Sequence, residues 1–274
     1  VTEPRDRFSR LVSGPDEAVD LAQASLLIAA EEYPGLDVAR YLERLDAMGR
    51  DVRGRLGRAP AAEVEALNGY LFEQEGFHGN LDDYYDPRNS FLNDVIDRRT
   101  GIPISLSVLY MEVARRAGLE VFGVGLPGHF LVRAESRGRT VLVDPFHGGA
   151  ILSAEDCQKR LDRVFDGRVR LEPGMLAPCA RKGILSRMLR NLKVIYVKAD
   201  DYRRGLRTMD LLLALDPGSA EDRRDRGLLH AAFDCYSLAA ADLEAYLALQ
   251  PSAPEASALL VKIGEMRSLA ARLN

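Results

Sequence analysis

The chain has no tryptophan, only three cysteines and only five lysines in 274 residues. Each scarcity excludes something. Without Trp, the largest aromatic clamp used by ligand sites is missing. Cys157, Cys179 and Cys235 are scattered and none belongs to a C-x-x-C pair. Neither a disulfide framework nor a thiolate metal site is therefore expected, and the usage fits a reducing compartment. Positive charge is carried almost wholly by Arg, and a formal net charge of −4 provides no global field for nucleic acid. No apolar run approaches the length of a membrane span. The opening VTEPRDRFSRLV lacks the apolar stretch of a signal peptide. The expectation is a cytoplasmic protein that engages neither membrane nor nucleic acid. One further absence weighs most: no Cys lies between Arg99 and Gly118.

What is present describes a globular chain, 47% hydrophobic and 28% charged, with room for one large domain or two modest ones. Its organising stretch runs from Arg99 to Asp144. Pro103 suits a first helical position, where no N–H partner is needed. Val108, Leu109, Met111 and Val113 recur at helical spacing, and Gly118 is a natural left-handed stop. Three strands follow, at 119–126, 130–134 and 140–143, rich in Val, Leu and Phe and punctuated by Pro127-Gly128 and residues 136–139. His129 opens the second strand and Asp144 closes the third.

Helices are expected over 16–33, from Asp37 to about 56, and from Pro60 to about Gln74, forming an N-terminal helical region. Residues 76–87 (GFHGNLDDYYDP) are a loop by composition. Asp82, Asp83 and Asp86 are the oxygen type a hard cation takes, but the spacing is not that of an EF-hand. Asn89 or Ser90 is expected to cap a helix running to Arg99. Ser153 with Asp156 resembles a capping box for a helix over 154–165, and 169–171 suits a last short strand. Beyond a linker marked by Pro173 and Pro178 the chain is all-helical. Asp216-Pro217 and Gln250-Pro251 stand one 34-residue period apart, each after a similar apolar run. That period marks tetratricopeptide repeats, read here as pairs 182–199/201–215 and 218–232/234–249 with a closing helix at 253–272. Three regions are expected: 1–75, 76–178 and 179–274.

The order helix, strand-His, strand-Asp resembles the papain-like transglutaminase fold. The runs GNLDDYYDPRNSFLNDVIDRRTGIPISLS, PGHFLVR and VDPFHGG are closer still to the SirB family, transglutaminase-like proteins with a tetratricopeptide tail. The resemblance implies an α+β fold: a transglutaminase-like core, a helix with a small antiparallel sheet, between an N-terminal helical cap and a C-terminal tetratricopeptide-like array. It implies that His129 and Asp144 are neighbours, and that the loop holding Asp82, Asp83, Tyr84 and Tyr85 lies near them; by their residue types those four either satisfy the loop's own backbone or contact a substrate or partner. Aligned on the helix end, the family's nucleophile position falls at 103–105, where this chain has no thiol.

Three functional readings follow. In the first, the core is a pseudoenzyme used for binding or regulation, and the repeats recruit a protein or peptide. Residues 181–207 carry nine basic side chains, among them Arg187, Arg190, Arg203 and Arg204. These could grip an acidic peptide or a terminal carboxylate. In the second, Ser105 is a nucleophile, His129 its base and Asp144 the orienter of a hydrolase or acyl-transfer enzyme, although Ser105 also suits a cap. In the third, His129, Asp144 and His147 have the right types to ligate zinc, but nothing in the sequence supplies the loop geometry. The first reading is preferred, with no metal and no cofactor.

Overall fold

A computed structural model describes residues 3–56, 60–136 and 139–273. The chain forms two compact units, Val1–Met188 and Leu189–Asn274. The architecture is α+β, and among the described residues the strands lie in the first unit. Among the described residues no helix is long and apolar enough to cross a membrane.

The first unit is built around helix α6, Pro103–Ala117, which is buried along nearly its whole length. A helix apolar on every side has to be a core helix. Its one buried carboxylate, Glu112, is held by Arg115 and Arg116. Helices α2 (Leu21–Glu32), α3 (Val38–Arg53) and α5 (Leu92–Arg98) pack on it, while α1 (Pro4–Val12) packs on α2; α4 (Pro60–Asn68) precedes the first strand. At Gly49 of α3 a Cβ would overlap the Cβ of Arg116, so glycine sets how closely α3 approaches α6. Strands β1 (His78–Gly79) and β2 (Thr100–Gly101) form a short parallel pair. Strands β3 (Glu120–Val124), β4 (Leu131–Ser136), β5 (Arg139–Asp144) and β6 (Ala150–Leu152) form an antiparallel sheet in that order. Leu131 and Leu142 of this sheet pack with Cys157 and Leu161 of α7 (Ala154–Phe165).

Three local expectations give way to longer-range demands. The helix expected from residue 16 starts at Leu21, capped by Asp20. Asp16 instead accepts the backbone N–H groups of Arg181 and Lys182, each at 2.8 Å, and so caps α8 (Arg181–Lys198). The helix expected from Asn89 or Ser90 starts at Leu92, because the Asn89 side chain is buried and spent on the preceding loop. No strand forms at 169–171. The Gln158 amide donates to the Val169 carbonyl (3.0 Å) and accepts from the Leu171 N–H (2.8 Å), which satisfies that backbone without a ladder. The capping box of Ser153 and Asp156 and the helix behind it are present as expected.

In the second unit, α9 (Tyr202–Leu215), α10 (Ala220–Ala232), α11 (Tyr236–Leu249) and α12 (Ala256–Leu273) follow the 34-residue layout. Leu243, Tyr246, Leu259, Ile263 and Met266 form its inner cluster. Asp222 is buried beneath Lys193 (3.0 Å) and Arg190 (3.1 Å). Burial alone would raise its pKa, but the Ser219 hydroxyl and the two cations outweigh that and hold the carboxyl below its ordinary 3.8. A depressed folded-state pKa adds stability above the unfolded value, and that stability is lost as pH falls through the folded value. The repeat unit should therefore lose stability below about pH 4, and Asp222→Asn should flatten that slope. Urea midpoints between pH 3 and 7 measure both.

Candidate functional site

The pairing of Val132 with Val143 brings the start of β4 beside the end of β5. A tight turn, Leu126-Pro127-Gly128-His129, delivers His129 to that point. The His129 N–H donates to the Leu126 carbonyl at 2.9 Å and Gly128 takes a positive φ of 74°, as the third position of such a turn demands. Asp144 ends β5 and its carboxylate is fully buried. Its Oδ1 accepts the Phe146 N–H at 3.1 Å, which starts the 3-10 turn Pro145–His147.

The other oxygen, Oδ2, is where the site converges. His129 Nε2 lies 3.0 Å from it, His147 Nδ1 2.7 Å, and Arg160 Nη2 2.6 Å. Burial works against the Asp144 charge, but the His129 hydrogen bond and the facing Arg160 and His147 prevail and hold its carboxyl below the ordinary carboxylate value. An ionised carboxylate only accepts, so each imidazole presents an N–H to it: Nε2–H from His129, Nδ1–H from His147. In a catalytic triad the carboxylate serves to orient a single histidine. Here one oxygen is divided among three donors, one of them a permanent cation.

Neither serine reaches His129. Ser105 is fully buried on the N-terminal turn of α6. Its Oγ donates to the Asn89 carbonyl at 2.6 Å and accepts the Ile102 N–H at 3.1 Å. It serves as the reciprocal half of a helix cap. Ser107 is equally buried, and its hydroxyl meets no hydrogen-bond partner among the described residues. Cys157, on α7, is buried in the sheet–helix core, and that burial pushes its thiol pKa up, away from the thiolate a nucleophile needs.

The tyrosine loop reaches this neighbourhood through aromatic contacts. The Tyr84 ring centroid lies 6.2 Å from that of Phe146, which in turn lies 6.2 Å from that of His129. Tyr85 packs edge-on to Tyr84 and both are exposed. Asp82 and Asp83 are exposed. Asp86 is buried against Arg88 and Arg98 rather than open to a cation.

Several side chains of the basic run have partners within their own unit. Arg181 donates to the carbonyls of Glu17 and Val19. Arg187 lies over the Phe130 ring and donates to the His129 carbonyl at 3.0 Å, so it braces the turn that carries the histidine. In the repeat unit Arg190 holds Asp222, and Arg204 holds Asp201 at 2.7 Å. Arg203 is exposed.

The sequence pointed to His129 and Asp144 but missed Arg160. The signal that could have found it is weak: a single Arg one turn after Cys157, beside Leu161, on the inner edge of a well-capped helix.

Comparisons with known proteins agree with this architecture. Residues 39–190 match the family described as the transglutaminase-like superfamily, and residues 192–262 match the tetratricopeptide repeat. A UPF0162 protein of Xylella fastidiosa is 40% identical over 250 residues, covering 89% of each chain. A UPF0162 protein of Pseudomonas aeruginosa is 33% identical over 90% of each. F-box only protein 21 of Homo sapiens is 30% identical over 169 residues, which is 58% of this chain and 26% of that one.

Proposed function

This chain belongs to the transglutaminase-like superfamily, and on that premise we propose that it is a binding module that keeps the His–Asp pair of the fold without its chemistry. The repeats are the part that recruits a protein or peptide partner. The observation that carries the reading is the engagement of Ser105. Its hydroxyl is fully buried and bonded to Asn89 and Ile102, so Ser105 presents no hydroxyl for His129 to deprotonate. The threefold sharing of Asp144 Oδ2 is the second support.

The competing reading, Ser-dependent acyl transfer through Ser105, His129 and Asp144, requires Ser105 to break both bonds and rotate out of the core. A fluorophosphonate and an activated ester separate the two. No adduct should form on Ser105 or Ser107. An adduct on Ser105 that is absent from His129→Ala would overturn the proposal. Ser105→Ala should instead behave as the loss of a cap, costing about 1–2 kcal/mol of stability, which a urea titration reads.

The partner's acidity rests on exchange. Arg190 and Arg204 already hold carboxylates, so an acidic segment would have to displace Asp222 or Asp201. In a deletion strain with a scorable defect, Ser105→Ala should restore function. Arg203→Glu with Arg204→Glu should not. The reverse pattern would favour the enzyme.

A further inference from the structure

Three ligand-type atoms converge on one guanidinium. His129 Nε2, His147 Nδ1 and an Asp144 carboxylate oxygen all lie within 4.8 Å of one another. Arg160 stands among them, with Nη2 2.6 Å from Asp144 Oδ2 and Nη1 3.5 Å from each of the two ring nitrogens. Neither 3.5 Å approach is a useful hydrogen bond, because both ring nitrogens already direct their protons at Asp144. Among the described residues the guanidinium is therefore held through the carboxylate, and it lies beside the three ligand atoms. A metal with bonds of about 2.0–2.2 Å to nitrogen and oxygen needs its ligand atoms roughly 3.3 Å apart. The separations of 3.0 Å and 2.7 Å from Oδ2 to the two ring nitrogens are close to that and open with a small side-chain shift.

The supports differ in rigidity in the way such a site requires. Asp144 is anchored at a strand end by the Phe146 N–H, and His129 is fixed by its turn and by Arg187. His147 and Arg160 are the movable members, with side chains 44% and 23% exposed. Arg160 can swing to solvent with its charge intact, and each imidazole can move its proton to the other ring nitrogen.

We propose that His129, Asp144 and His147 form a site for a divalent transition cation of the zinc class, and that Arg160 is the tethered cation which that metal displaces. Two imidazoles with one carboxylate favour zinc over magnesium or calcium, which prefer all-oxygen sets. The exposed side at His147 leaves a coordination position open to solvent or to a partner's side chain. This inference goes beyond the binding-module reading and stands whether or not that reading holds.

The test uses the full chain, stripped with chelator and titrated with zinc, then with cobalt. The wild-type chain should take up one zinc. His147→Ala, an exposed change that leaves the fold alone, should weaken uptake at least ~10-fold. Arg160→Met should tighten it ~10-fold or more, because the competing cation is gone. The cobalt form should show nitrogen and oxygen ligation without a thiolate charge-transfer band, which separates this site from Cys157, Cys179 and Cys235. No uptake by the wild-type chain overturns the proposal. So does uptake that His147→Ala leaves unchanged, or a cobalt spectrum with thiolate character. If Arg160→Met fails to fold, the comparison of wild type with His147→Ala decides alone.

Discussion

Asp144→Ala should lower the unfolding free energy of the unit Val1–Met188 by about 3–5 kcal/mol. The carboxylate is fully buried and both its oxygens are in use. Removing it leaves the Arg160 guanidinium without a counter-charge, leaves two imidazoles without their acceptor, and orphans the Phe146 N–H that starts the 3-10 turn. The two imidazole N–H groups and the Phe146 N–H then have no acceptor, and an unsatisfied buried donor costs its full desolvation penalty. Urea unfolding followed by far-ultraviolet circular dichroism measures this, the chain having no Trp to report by fluorescence. A loss below about 1 kcal/mol for Asp144→Ala would mean that the carboxylate does not hold the site together.

That prediction also bears on function. In an active triad the carboxylate contributes to turnover, and its loss is felt chiefly in rate. Here the same residue anchors a turn, two imidazoles and an arginine. The proposed binding role and the structural role draw on one group, so functional assays of Asp144 variants have to be normalised to folded protein. His147→Ala avoids the difficulty, because His147 is half-exposed and donates to only one of the oxygens.

The parts of the molecule legible in sequence were those fixed by local rules. Helix α6 followed from Pro103, an apolar repeat and Gly118, which adopts a φ of 89° at the helix end. Three strands of the four-stranded sheet followed from runs rich in Val, Leu and Phe broken by turn residues, whereas β6 did not. The 34-residue spacing of two Pro-marked turns gave the repeats. The pattern marked Asp144 as a strand end, and His129 lies in the turn two residues before β4 rather than at its start; that the two are neighbours was implied by the family resemblance alone. Arg160 was not legible, because its partner lies on a strand 16 positions upstream and nothing local distinguishes it from other helix-surface arginines. The role of Ser105 was half legible. A serine on the first turn of a helix suggests a cap, but its second bond, to the Asn89 carbonyl, depends on how the preceding loop folds back. The partners of the basic run were illegible for the same reason: charge density along a sequence says nothing of which carboxylates the fold brings to it, and Asp222 arrives from another helix.

In the repeat unit the largest effect should come from Arg226→Ala, at about 3–5 kcal/mol. Arg226 on α10 grips Asp242 of α11 with two nitrogens, at 2.7 and 2.8 Å, and Asp210 of α9 at 2.8 Å. Those bonds raise its already high pKa further, so it stays charged at every accessible pH. It ties three successive helices together at one point, and the Asp242 side chain is only 9% exposed. Without the guanidinium, Asp242 would sit buried with no cation beyond His230, whose ring nitrogen is 3.9 Å away and whose pKa burial pushes down. Each repeat in such an array is stabilised largely by its neighbours, so the damage should spread along the array. Arg226→Lys should restore only part of the stability, since an ammonium cannot span both carboxylates in the planar fork that Arg offers. Asp242→Leu placed on Arg226→Ala should recover more, because it removes the stranded charge. If the repeats recruit the partner, binding should fail in Arg226→Ala in step with the loss of helicity and return with the double variant. Binding that persists while the array is unfolded would place the recruiting surface in the first unit.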